Sequence, residues 1–227
     1  MLEVDGAAVV ARELRRPLLE LRQLALGFDG NGAEDEKIRA EMLAVTERAM
    51  KQVNDLIRLE KLGKGDYAME PIAVRWLCDD VLSEVADLFG RKKCDARVKY
   101  CNRARLIMAN QELLKSVVRN FLLNAVHYND EEMKTELKVC ETKGKVEILV
   151  RDYGPMLPMD VWREMREQLA FPHEIAMRPG SSMLGIYLAS KFCRYMKAEV
   201  GVVRHRDGAS FFVKLPVTRQ INLWGMK

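Results

Sequence analysis

Apolar or small residues fall at Ala7, Ala11, Leu14, Leu18, Leu21, Ala25 and Phe28. Steps alternating between four and three lay them as one stripe along a helix, the seam spacing of coiled coils. The turn-rich stretch from Gly27 to Asp35 interrupts the stripe, which resumes at Ile38, Met42, Val45, Ala49, Leu56 and Leu59, with Val53 slightly off it. This predicts two long helices in an antiparallel hairpin. A hairpin has one apolar face and nothing of its own to cover it, so two copies pairing into a four-helix bundle, hence a homodimer, is the expectation. The alternative is that the hairpin packs on the rest of its own chain.

Gly63-Lys64-Gly65-Asp66 breaks the helical period, and the pattern then changes to mixed helix and strand. The organisation expected is a dimerisation hairpin over 1–63, a linker over 64–67, a second domain over 68–218 and a tail over 219–227. Within the second domain, helices are predicted at Val74 to Lys92, Gln111 to about Tyr128, Met159 to Leu169 and Leu184 to Met196. Ala96 to Cys101 alternates like a strand. Glu136–Glu141 and Lys145–Asp152 flank the turn Thr142-Lys143-Gly144, and Glu199–His205 and Ser210–Pro216 flank Arg206-Asp207-Gly208, as two hairpins of one sheet. Helices covering one face of that sheet make an α+β layer.

Composition narrows the function classes. Lys and Arg number 37 against 33 Asp and Glu, a net charge of +4 with the signs interspersed, which argues against a nucleic-acid or lipid-surface partner. No apolar run reaches the roughly 20 residues of a membrane span, and the first residues lack the layout of a secretory signal, so a soluble, cytoplasmic chain is expected. The five cysteines, Cys78, Cys94, Cys101, Cys140 and Cys193, include no Cys-x-x-Cys pair. They read as buried or incidental free thiols in a reducing compartment.

On the Gln111–Tyr128 helix, Asn120, Asn124 and His127 share one face beside the apolar stripe of Leu114, Val117, Phe121 and Ala125. Amide oxygens on a rigid helix suit a hard cation such as Mg²⁺ shared with substrate phosphates; a plain solvated face is the other reading. The strand ending in Arg151-Asp152-Tyr153-Gly154 puts a carboxylate before a glycine. Such a carboxylate can accept a hydrogen bond from an exocyclic amine while the backbone stays close to a flat ring, or it can simply cap a turn.

The order of these pieces, from about Ala7 to Pro216, resembles the sensor histidine kinases of two-component signalling. Arg12-Glu13-Leu14-Arg15-Arg16-Pro17-Leu18 stands where that family has His-Glu-Leu-Arg-Thr-Pro-Leu, and Asp55 to Gly63 looks like the exit of its second hairpin helix. Asn120-Phe121-Leu122-Leu123-Asn124-Ala125-Val126-His127-Tyr128 is similar to the N box, Asp152-Tyr153-Gly154 to the first glycine box, and Met183-Leu184-Gly185-Ile186 with Lys191 to part of the second. Phe211 to Pro216 looks like the closing strand. The resemblance implies a dimeric four-helix bundle followed by a Bergerat (GHKL) ATP-binding domain, a mixed sheet covered by helices. It implies Asn124 as the Mg²⁺ ligand, Asn120 near the phosphates, Asp152 on the adenine amino group, and Gly154 and Gly185 as close-approach glycines.

Departures from the family pattern carry as much information. Arg12 occupies the phosphoacceptor position, and a guanidinium has no lone pair with which to attack phosphorus. The three histidines, His127, His173 and His205, all lie in the second domain. Glu13 has no imidazole to orient, and Arg16 replaces the Thr or Asn that positions water in the family. Met156 replaces the last glycine of the first box, and Ser181 and Met183 replace two glycines of the second. That weakens the backbone cradle for phosphates, and the short, proline-bearing stretch from Ala170 to Ser182 argues against a long lid.

Autophosphorylation is therefore expected to be absent, with ATP and Mg²⁺ bound weakly or not at all. Arg12, Glu13, Arg15 and Arg16 become a docking surface, with Arg22 further along and the acidic Glu34-Asp35-Glu36 at the hairpin turn. An arginine can pair with the acidic pocket of a response-regulator receiver domain by charge-assisted hydrogen bonds; a solvated helix face is the bland alternative. The resulting expectation is a dimeric regulatory adaptor that docks a response regulator or another histidine kinase. Its competitor is an ATP-dependent protein kinase of the Bergerat superfamily acting on a partner protein.

Overall fold

The computed structural model describes residues 3–28, 33–91, 93–101, 105–128, 134–170 and 184–218. Two units result among the described residues, one up to Gly65, with which Leu184 groups, and one comprising the rest from Asp66 onward. The predicted positions of Ser181, Met183, Lys92 and the 219–227 tail fall outside the described residues, as do the side chains of Arg12, Glu13, Arg16 and His127.

The first unit is a pair of helices, α1 (Glu3–Leu26) and α2 (Ala33–Leu62). The second helix starts earlier than the turn signals imply, so Asp35 and Glu36 lie in its first turn, where the helix dipole favours acidic side chains. Pro17 is buried inside α1, and its missing amide leaves the Glu13 carbonyl without its helical donor.

The stripe needs correction. Val45 is fully buried, while Leu14, Leu21, Ile38, Met42, Ala49, Val53, Leu56 and Leu59 are half-buried, but Leu18 is 61% exposed and Ala25 is exposed. The inner line on α1 runs through Leu14, Pro17, Leu21 and Leu24 instead. A second apolar row appears on α2 at seven-residue spacing: Leu43, Met50 and Ile57 are 61%, 56% and 46% exposed.

The second unit opens with β1 (Glu70–Ile72) and α3 (Val74–Arg91), followed by β2 (Asp95–Tyr100), β3 (Ile107–Ala109) and α4 (Gln111–Tyr128). Then come β4 (Lys134–Thr142), β5 (Lys145–Asp152), α5 (Met159–Ala170), α6 (Leu184–Tyr195), β6 (Glu199–His205) and β7 (Gly208–Pro216). The main sheet has the order β2-β4-β5-β7-β6, antiparallel except for the parallel β2–β4 pair. β1 and β3 form a separate two-stranded sheet.

Lys143 and Gly144 both have positive φ (51° and 74°), the two-residue turn that matches the twist of the β4–β5 hairpin. Alternation along β5 buries Val146, Ile148, Val150 and, by the same parity, Asp152. The buried faces of α3, α4 and α6 complete this core with Val81, Val85, Leu114, Val117, Phe121, Leu188 and Phe192. Phe121 stacks on Phe211 with ring centroids 5.5 Å apart. Among the described residues no helix is long and apolar enough to cross a membrane.

The cysteine expectation is overturned in part. Cys101 and Cys140 are joined by a disulfide, with Cα atoms 5.1 Å apart, because the parallel register of β2 and β4, ending at Tyr100 opposite Val139, puts the next residue, Cys101, beside Cys140. Cys78, Cys94 and Cys193 stand outside that bridge and are buried, as expected.

Candidate functional site

Helix α4 begins on a side-chain cap. Asn110 Oδ1 accepts the Leu113 backbone amide (3.1 Å), which fixes the first turn, and its Nδ2 donates to the Ala68 carbonyl (3.0 Å). One flank of the helix is sealed by Leu113, Leu114, Val117, Val118 and Phe121, all fully buried.

Next to that flank stand Asn120 and Asn124, one turn apart. Asn120 is 8% exposed and Asn124 half-buried, and the Nδ2 of each is buried with no hydrogen-bond partner among the described residues. An unpaired buried donor costs about 1–3 kcal/mol, a deficit that an oxygen-rich ligand would remove. Gly185, in the first turn of α6, lies beside Asn120; a Cβ there would sit 3.5 Å from its Cγ and Oδ1. The first turn of α6 is therefore next to Asn120, and a helix N-terminus is suited to phosphate.

At the end of β5, Asp152 is 4% exposed. Its Oδ1 accepts the Ala209 amide (2.9 Å) and the Gly154 amide (3.4 Å). Both bonds fall on Oδ1, which leaves Oδ2 as the oxygen on hand for an exocyclic amine. Burial pushes the Asp152 carboxyl above its ordinary pKa, opposed by the Ala209 and Gly154 amides and by the charges of Arg151 and His205.

Gly208 makes this possible. Its φ is +114°, and a Cβ would overlap Asp152 Oδ1 and stand 2.5 Å from the Asp152 carbonyl oxygen. Around the carboxylate, Arg151 Nη2 donates to Asp207 Oδ1 (2.6 Å), its guanidinium lies 4.7 Å from the Tyr153 ring centre, and His205 Nε2 is 2.9 Å from Ser210 Oγ. Burial, then Arg151, lowers the His205 pKa.

The residues present fit a purine nucleotide with its cation. Asn120 and Asn124 offer amide donors to phosphate and amide oxygens to Mg²⁺, and Asp152 offers a fixed carboxylate oxygen. Among the described residues no three His, Cys, Asp or Glu side chains gather to hold a metal, so the amides are the donors on hand. Met156 is 47% exposed, and Arg15 is exposed on α1. Sequence reasoning missed Gly208 and Ala209. The Asp207-Gly208 turn was visible, but its closure on Asp152 depends on the β5–β7 register that sets Arg151 opposite Ser210.

Residues 109–219 match the family of histidine kinase-, DNA gyrase B- and HSP90-like ATPases. The adaptive-response sensory kinase SasA of Synechocystis is 24% identical over 230 residues, covering 93% of this chain and 58% of SasA. The chain thus spans little more than half the length of such relatives.

Among solved structures, the histidine kinase AdeS of Acinetobacter baumannii superposes with a TM-score of 0.65 at 17% identity, over 91% of this chain and 98% of that one. The histidine kinase ThkA, solved in complex with the response regulator TrrA, superposes with a TM-score of 0.62 at 18% identity, over 93% and 61%. The chain is thus similar to histidine kinases, and its α+β unit has the Bergerat fold of the ATPases that residues 109–219 match.

Proposed function

We propose that this chain is a signal-transduction protein of the histidine-kinase type that holds ATP and Mg²⁺ weakly and does not phosphorylate itself. In this reading residues 1–63 dimerise and dock a response-regulator receiver domain or another histidine kinase in the cytoplasm. The observation that carries it is the pairing of unpartnered buried amides at Asn120 and Asn124 with an arginine, Arg12, where a nucleophilic imidazole would have to stand.

Asp152, fixed by Ala209 and Gly154, takes the adenine amine, and Asn120 with the α6 N-terminus at Gly185 takes the phosphates. Asn124 is the metal ligand, and the cation, when bound, would neutralise phosphate charge. Ser181 and Met183 in place of glycines argue for weak capture of the triphosphate. The exposed row Leu43, Met50 and Ile57 supports a second copy as the cover for the hairpin. Arg12, Glu13, Arg15 and Arg16 form the docking segment.

Radiolabelled ATP with Mg²⁺ should leave no phosphate on the protein, and phosphate retained on the hairpin would sink the proposal. Calorimetry with a non-hydrolysable ATP analogue should give weak binding that Asp152→Asn abolishes. Arg12→Ala should weaken receiver-domain binding about tenfold. The orphaned amides also favour the competing reading, a kinase acting on a partner protein, for which the label would appear on that partner.

A further inference from the structure

The disulfide between Cys101 and Cys140 sits where exchange chemistry is favoured. Cys101 is exposed and Cys140 half-buried, at the end of β2, an edge strand of the main sheet. Cys101 extends the pairing past the strand, its amide donating to the Val139 carbonyl (3.0 Å).

Two residues earlier, and so on the same face, Lys99 stands directly opposite Lys138. On the other side Arg105 grips Glu141 through two side-chain bonds (2.8 and 2.5 Å) and one from its backbone amide (2.9 Å). The carboxylate facing Cys140 from β5 is Glu147, which is engaged by Lys214 at 3.2 Å. Cationic neighbours favour the thiolate, the reactive form.

The other cysteines have the opposite surroundings. Cys94 is buried out of reach; burial pushes the Cys78 thiol up to about 12 and raises that of Cys193 as well, so these two stay protonated and inert.

The pair also has something to hold. Parallel pairing is the less stable kind, and like charges directly opposite, as at Lys99 and Lys138, weaken it further. The 39-residue separation between the two cysteines contains β3 and α4.

We propose that Cys101 and Cys140 form a reversible thiol–disulfide site, closed by exchange with a low-molecular-weight disulfide, that fixes edge strand β2 to the sheet. The exposed Cys101 thiolate attacks one sulfur of the small disulfide, forming a mixed disulfide and releasing one small thiolate. The Cys140 thiolate then attacks the Cys101 sulfur, the bond between the cysteines forms, and the second small thiolate leaves. The protein loses two electrons and two protons, and the small disulfide is reduced to two thiols.

The test equilibrates the purified full chain in glutathione buffers from reducing to oxidising, alkylates it while folded, and maps labelled peptides by mass spectrometry. Cys101 and Cys140 should be labelled together at the reducing end and protected together at the oxidising end, with Cys78, Cys94 and Cys193 unlabelled throughout. Labelling of the pair at the oxidising end, or a bond that never opens at the reducing end, overturns the proposal.

Hydrogen exchange of the 95–100 amides should quicken about tenfold on reduction while that of β5 holds; equal exchange in both states overturns the role in fixing β2. A Cys101→Ser chain should match the reduced protein. Should it fail to fold, the doubly changed Lys99→Glu, Lys138→Glu chain keeps both thiols and should close about fivefold more slowly with oxidised glutathione, and an unchanged rate counts against the proposal.

Discussion

The helical hairpin and the α+β unit are built on opposite terms. Among its described side chains the hairpin buries only Pro17, Val45 and Asp55, and the last needs Arg58 Nη1 at 2.8 Å to make burial tolerable. The α+β unit buries Val146, Ile148, Val150, Val213, Leu215 and Phe121 completely. The latter has a core of its own, so it can hold a tight glycine turn and two unpartnered amides; the former has apolar rows that its described residues leave uncovered. On the proposed function, ligand chemistry resides where packing is self-sufficient, and the contact surface where packing is left open.

The sharpest way to break this contrast is Gly208→Val. A β-branched residue at φ +114° that also overlaps Asp152 should cost the α+β unit about 4 kcal/mol, read by urea denaturation, while hairpin association is unchanged. A wild-type midpoint would show that the Asp152 turn is loosely held.

The complementary change, Leu43→Glu with Ile57→Glu, should weaken self-association roughly a hundredfold, about 3 kcal/mol, by sedimentation, with the α+β unit melting as before. Association that survives both charges would place the contact on another surface.

Gly201→Ala asks how far the solvent-side sheet face can give. A Cβ there would stand 2.5 Å from Phe212 Cζ, so the ring must swing out from under Lys214, at about 1–2 kcal/mol. Lys138→Glu should stabilise by about 0.5 kcal/mol by relieving the pair with Lys99.

The acid limb of stability should carry the smallest signature. Because burial raises the Asp152 pKa, the folded chain holds a proton that the unfolded chain has released between 3.8 and the raised value. Stability therefore falls as pH rises through that window, and Asp152→Asn should remove the slope in melting scans. On the proposed function, nucleotide affinity should run the other way, falling as pH drops and the carboxylate is neutralised.

How much of this could be read from residues alone follows from the range of the forces involved. The Lys145–Asp152 strand and the Gln111–Tyr128 helix are where the pattern put them, since strict alternation and a 3.6-residue stripe are local signals. β1 and β3 went unseen, being three residues each and paired across a long stretch of intervening chain. The parallel β2–β4 pairing has no turn to announce it, so the Cys101–Cys140 bridge that depends on it was invisible too.

Asn120, Asn124, Asp152, Gly154 and Gly185 could be picked out by residue type and spacing. What holds them in place could not, because Ala209 reaches Asp152 only after two separate hairpins join in one sheet. Leu18 misled because a helix stripe records apolar spacing without recording which neighbour will cover it.

One consequence concerns how the chain can be dissected. The Tyr67 carbonyl accepts the Tyr195 hydroxyl at the far end of α6 (3.1 Å), the two rings meet edge to face at 6.1 Å, and the Ala68 carbonyl accepts Asn110 at the head of α4. A truncation begun at β1 would shave off a strap that ties down both helices of the candidate site. Any fragment meant to report the intrinsic affinity of the isolated unit has to start no later than Asp66.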